Sequence, residues 1–252
     1  MKNIIKSQFY QIKNERLLVI VFFTLMAALL MNAFFGMGDG EALSAGETAV
    51  YLLPFEVQIS ALFIFMQTGI FCCSDFKDKT ANYELMSGHT RKEVYFGRVI
   101  PCLIVGTLGW ILLMCMPYVI LTLLRGWGTE ISFRTVMVRF LLMIFPVLRL
   151  ICEFIFISFL VRNPYIVMAA GYVAFCIGGM SFTSSCFLGM TNLTMLSTID
   201  VWVTFGLSGS LNYVYESYLT SSEIIGTIVS SVIFGGASLY MGYYFFRTDD
   251  VN

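Results

Sequence analysis

Long uninterrupted apolar runs separated by short polar stretches dominate this chain. Six of them reach the roughly 20 residues that an α-helix rising about 1.5 Å per residue needs to cross a bilayer. They fall at Leu17–Phe35, Ala49–Cys73, Val99–Leu124, Val136–Val161, Tyr165–Leu188 and Ile224–Phe246. Continuous runs hide their backbone amides only as helices, whereas the strands of a membrane barrel would alternate apolar and polar positions. The pattern predicts an all-α integral membrane protein with about six transmembrane helices. No repeat of fixed period and no low-complexity linker divides residues 1–252, so a single transmembrane domain is expected.

Composition agrees with the pattern. Hydrophobic residues make up 58% of the chain and charged ones 12%, and the mean hydropathy is +0.81, outside the range of soluble domains. A net charge of −1 gives no basic field that could hold a nucleic acid. The division of the basic residues carries more information. Lys2, Lys6, Lys13 and Arg16 precede the first run, Lys77, Lys79, Arg91, Lys92 and Arg98 lie between the second and third, and Arg162 and Arg247 fall on the same side. Only Arg125 and Arg134 fall opposite. The excess of Lys and Arg on one side puts both termini in the cytoplasm. The first run is too long for the apolar region of a signal peptide, roughly 7 to 15 residues, so it is expected to stay as an anchor.

Enzymatic chemistry finds little support. The seven cysteines lie within or at the ends of apolar runs without a CxxC pair and read as packing residues. One histidine, His89, cannot build a metal site alone, and there is no HExxH, GxSxG or phosphate-cradling loop. No catalytic residue, metal or cofactor is expected on this chain.

The segment Ser74–Phe96 is the informative polar stretch. A short helix can start near Ser74 or Asp75 and end at Gly88, the residue best able to take a left-handed C-terminal conformation. Thr90 and Glu93 have capping-box spacing directly before the third run, so Thr90 is the expected N-cap of that span. The bland reading is a juxtamembrane loop whose lysines and arginines rest on anionic lipid.

The order of elements resembles the membrane subunit of a type-2 ABC exporter. In that family a short cytoplasmic helix after the second span meets a small-residue turn and a basic residue leading into the third, and here Asp75–Met86 followed by Ser87-Gly88-His89-Thr90-Arg91-Lys92 matches it. The end of the last span, Tyr243-Tyr244-Phe245-Phe246-Arg247-Thr248-Asp249-Asp250-Val251, resembles the family as well. The resemblance implies a permease that pairs with a separate nucleotide-binding subunit, which holds ATP and Mg, and with a second permease copy. It implies location in the cytoplasmic membrane of a bacterium and export of an amphipathic or hydrophobic cargo such as a peptide antibiotic, a drug or a lipid. It further implies ATPase docking by Asp75, Phe76, Lys77, Lys79, Tyr83, Glu84, Leu85 and Met86.

Between the last two runs, Gly189–Glu223 has three acids, no basic residue and many aromatics, among them Trp202, Tyr213, Tyr215 and Tyr218. It reads as an interfacial segment, and the resemblance implies short helices dipping into the outer leaflet. Charges within the runs are the other candidates, because an ionisable group at mid-bilayer needs a partner or water. Arg149 and Glu153 share a helix face near mid-depth, either as an internal ion pair or as part of a pathway that Pro146 helps to open. Arg139 and Glu56 lie nearer the outer ends, where snorkelling or mutual pairing makes them cheap. Gly226/Ser230, Ser231/Gly235 and Ser238/Gly242 give the last run small-xxx-small pairs for close helix contact. A secondary transporter would need more midspan acids than Glu56 and Glu153, while a membrane sensor or scaffold, needing no chemistry, stays open.

Overall fold

The computed structural model describes residues 2–35, 45, 48, 53–77, 80–128, 132–171, 173 and 221–248. Among them there is no strand. The helices are α1 (Lys2–Asn14), α2 (Arg16–Phe35), α3 (Leu53–Lys77), α4 (Thr80–Met86), α5 (Arg91–Arg125), α6 (Phe133–Val161) and α7 (Ser221–Thr248), with a further helical stretch at 164–171.

Four helices are long and apolar enough to cross a membrane: Arg16–Phe34, Arg91–Arg125, Val136–Val161 and Ile224–Thr248. Ile59–Cys73, within α3, is a shorter apolar helix. These correspond to five of the six expected spans. Most of the remaining one, Tyr165–Leu188, and all of Gly189–Thr220 lie outside the described residues.

Several boundaries differ from the hydropathy pattern for one physical reason. Apolar runs end where side chains turn polar, whereas backbone hydrogen bonding continues to a cap. So α5 starts at Arg91, eight residues before its apolar run, because Thr90 caps it there. Likewise α3 continues through Asp75, Phe76 and Lys77, residues expected in the short helix. One element was not expected at all: α1 is a separate helix, parted from α2 by the single residue Glu15.

The bundle is built around α5 and α6. The most extensive contact is between α6 and α7, α3 packs on both α5 and α6, and α2 covers α3 and α5. Tyr95, Trp110, Met114, Met143, Ile151 and Phe154 belong to one buried cluster. Polar groups inside it find partners across helices: Trp110 Nε1 donates to Ser60 Oγ at 3.0 Å, and Gln67 Nε2 donates to the Cys102 carbonyl at 2.7 Å. Such bonds matter here because an apolar bilayer gives helices no hydrophobic reason to associate, leaving shape and hydrogen bonding to hold them. Close approach is supplied by glycine. A Cβ on Gly97 would lie 2.7 Å from Ile4 Cγ2, and one on Gly242 would lie 2.7 Å from Tyr95 Oη. Ser231/Gly235 and Ser238/Gly242 therefore serve packing within the chain, with Gly235 facing the Arg149 backbone. At Gly226, in contrast, open space surrounds the Cβ position.

Candidate functional site

The polar end of the bundle is organised by the turn from α4 into α5. Three bonds close α4: Ser87 N–H donates to the Tyr83 carbonyl at 2.9 Å, Gly88 N–H to Leu85 at 3.2 Å and His89 N–H to Glu84 at 3.4 Å. The crossed pair from Gly88 and His89 is a Schellman closure, which needs a left-handed residue at Gly88. Its φ is +92°, as the sequence required. Two residues on, Thr90 caps α5. Its hydroxyl accepts from Glu93 N–H at 3.3 Å, and its own N–H donates to Glu93 Oε2 at 3.2 Å. The Thr90 N–H, and with it the Thr90 hydroxyl donating to the same oxygen at 3.1 Å, hold the Glu93 carboxyl below its usual value of 4.5. Glu93 lies six positions before the apolar run of α5, at the solvated end of the helix.

Beyond the cap, α5 presents Arg91, Tyr95 and Arg98 along one side, at i, i+4 and i+7. Each side chain reaches a different target. Arg91 Nη1 donates to the carbonyls of Arg247, at 2.8 Å, and Phe246, at 3.3 Å, placing a cation on the C-terminal end of α7, where the helix dipole favours it. Tyr95 Oη donates to the Leu239 carbonyl at 2.8 Å, and its ring packs against Phe159 and Tyr243. Arg98 is 1% exposed, and its Nη2 lies 2.8 Å from Glu84 Oε2 of α4.

That last contact divides α4 into two faces. Glu84 and Leu85 turn inward, Leu85 packing against the buried cluster. Tyr83 and Met86, at i and i+3, turn outward and are 69% and 83% exposed. Of the eight residues expected to dock a partner, these two offer an accessible apolar surface, while Glu84 and Leu85 hold the helix to the bundle. Asp75, Phe76 and Lys77 lie in the last turn of α3, and their side chains are outside the described residues, as is Lys79 entirely.

The second candidate lies inside the apolar region. Arg149 Nε donates to Glu153 Oε1 at 2.7 Å, an i, i+4 pair on α6 with side chains 8% and 29% exposed. The Arg149 guanidinium also sits 4.5 Å from the Phe234 ring centroid on α7. This arrangement satisfies both charges within the protein, which is what a structural pair requires. Arg139 and Glu56 belong to α6 and α3, and their side chains are outside the described residues. Among the described residues no group of three or more His, Cys, Asp or Glu could hold a metal ion.

The sequence pattern marked Arg98 only as an orientation charge, marked Arg91 as that and as part of the basic turn leading into the third run, and gave Tyr95 no role. Their i, i+4, i+7 spacing immediately after a capping box was the available signal, since it places two cations and a phenol on one side of a helix whose start was already known. No protein-family model matches this sequence, and no curated protein matches it.

Proposed function

We propose that this chain is the permease subunit of an ATP-driven exporter of the type-2 ABC class, embedded in a bacterial cytoplasmic membrane and driven by a separate ATPase subunit. In this reading it crosses the bilayer six times, both termini are cytoplasmic, and the pathway forms between two permease copies. The cargo is amphipathic or hydrophobic.

One observation carries the reading. A seven-residue helix, α4, is fixed by its inner face to a long apolar helix through Glu84 and Arg98, while its outer face offers Tyr83 and Met86 to a partner. A loop that served only to connect two spans has no need for a buried cation to hold it. A partner seated on Tyr83 and Met86 would push α4, and Arg98 and the capped turn would pass that push to α5. Tyrosines that a partner buries are among the residues that carry most of the energy in many protein interfaces, and methionine is enriched beside them. Arg149 and Glu153 serve the permease as a structural pair within the turn of α6 that follows Pro146.

The test is co-purification with an ATPase subunit, sought first among the products of neighbouring genes, together with ATP turnover in reconstituted membranes. Tyr83→Asp and Met86→Asp should leave insertion and yield unchanged but release the ATPase during detergent purification. If both variants keep the partner at normal turnover, α4 is not the docking element and the exporter reading loses its support.

A further inference from the structure

The helix that the sequence did not announce, α1, has an outward face with no role so far. Its inner face is settled: Ile4 is 4% exposed and Gln8 3%, and Ile12 packs against the cluster containing Leu18 and Phe71. Its outer face carries Lys6 and Lys13, both exposed, with Phe9 37% and Tyr10 72% exposed beside them. Positions 2, 6 and 13 are all lysine and fall within a narrow arc of a helix, and no acid occurs before Glu15.

The depth of this face is fixed at both ends of α1. Near its start, Ile4 seats on Gly97, two residues before the apolar run of α5 begins at Val99. At its end, Glu15 N–H donates to the Ile12 carbonyl at 3.3 Å as the chain turns into α2, whose apolar run begins at Leu17. Both ends thus lie where an apolar run meets its polar flank, and the helix between them stays at that level. A helix lying along this boundary against the bundle turns its free side toward lipid headgroups. Lysine stems can lie along the boundary while their ammonium groups reach phosphates, and aromatic rings favour the same depth.

We infer that the outer face of α1, Lys6, Phe9, Tyr10 and Lys13, binds the anionic phospholipid headgroups of the cytoplasmic leaflet. The inference rests on the membrane embedding proposed above and is independent of the ATPase. Charge complementarity selects the occupant: the face is cationic and aromatic without a carboxylate, so it fits anionic headgroups better than an acidic-and-basic protein surface. Binding here would hold α1 on Gly97 and so tie the cytoplasmic end of α5 to the membrane plane.

The full chain, its native cysteines replaced by Ala or Ser, would carry an environment-sensitive fluorophore on Tyr10→Cys. It would be reconstituted in vesicles of phosphatidylcholine alone or with about one-third phosphatidylglycerol. An alkaline carbonate wash reports embedding separately, so a protein that washes off overturns the membrane reading itself. For embedded protein, the label should be quenched by headgroup-linked nitroxide lipid more strongly in the anionic vesicles, and high salt should reduce the difference. Lys6→Gln with Lys13→Gln should remove most of that gain, since each basic residue near an anionic surface is worth roughly a fivefold change in partition. Equal quenching in the two lipids, or an unchanged gain in the double variant, overturns the inference. So does protection of the label from aqueous iodide only when the ATPase is added, which would make the face a protein-docking surface.

Discussion

Glu84 and Arg98 are fourteen residues apart, yet their charged groups meet at 2.8 Å because the chain reverses at Gly88 between them. The pair joins the seven-residue helix α4 to the longest one, α5, and it does so with an arginine that is almost fully buried.

Removing the carboxylate should therefore loosen α4. Glu84→Ala takes this partner from a buried cation, a change that costs about 3 to 5 kcal/mol in a fully buried pair. Because Glu84 is partly exposed, about 1 to 3 kcal/mol is expected here, read as a lower thermal midpoint by size-exclusion chromatography in detergent. Glu84→Gln should cost less than Glu84→Ala, since the amide keeps an acceptor. Equal stability of all three proteins would mean that the contact contributes nothing.

Gly97 makes a steric prediction. A methyl group there would overlap Ile4, and the contact includes Ile4 Cβ, which cannot swing away as a chain end could. Gly97→Ala should destabilise the protein by about 1 to 3 kcal/mol, the usual range for overpacking. In an Ile4→Ala background, where the Cγ2 contact is already gone, the same Gly97→Ala change should cost less than it does in the parent. A single variant as stable as the parent would show that α1 does not seat on α5.

For the pair inside α6, Glu153→Ala leaves Arg149 without its nearest carboxylate in an apolar setting and should sharply reduce the yield of folded protein. Arg149→Met together with Glu153→Ala replaces both charges and should restore much of it. Well-folded single variants that nevertheless fail to transport would instead assign the pair to the pathway.

The α5 cap should be pH-sensitive with a defined sign. Since Thr90 holds the Glu93 pKa below 4.5, the carboxylate contributes stability that is present above that ordinary value and fades as pH falls through the lowered one. Thr90→Ala should thus lower the thermal midpoint at neutral pH, as loss of an N-cap does. The gap to the parent should narrow as pH falls from 4.5 through the lowered pKa and Glu93 becomes protonated. A gap that widens in acid would contradict the capping geometry.

How much of this could be read beforehand depends on the range of the interaction. Thr90 and Glu93, Gly88, and Arg149 with Glu153 are all contacts within about one helical turn, and their spacing alone reveals them. Glu84 with Arg98 and Arg91 with the carbonyls of Phe246 and Arg247 depend on how the chain folds back, which no local spacing encodes. Hydropathy also marks helix ends poorly, because it follows the transition to polar side chains while the helix follows its hydrogen bonds. That is why Asp75–Lys77 continue α3 and why α5 begins at Arg91. As for α1, its inner face places Gln8 between Ile4 and Ile12, and a glutamine in the middle of so short a stripe conceals the periodicity.

The Schellman closure of α4 and the capping box of α5 stand back to back with one residue, His89, between Gly88 and Thr90. Both loose helix ends are satisfied within the turn itself, so the elbow has little slack to absorb a load. A load on Tyr83 or Met86 is then met first by the opening turns of α5, the ten residues before the internal Pro101, or about 15 Å of helix. Pro101 and Pro117 each remove a backbone donor from the helix, so the give in this arm lies beyond the elbow and not at it.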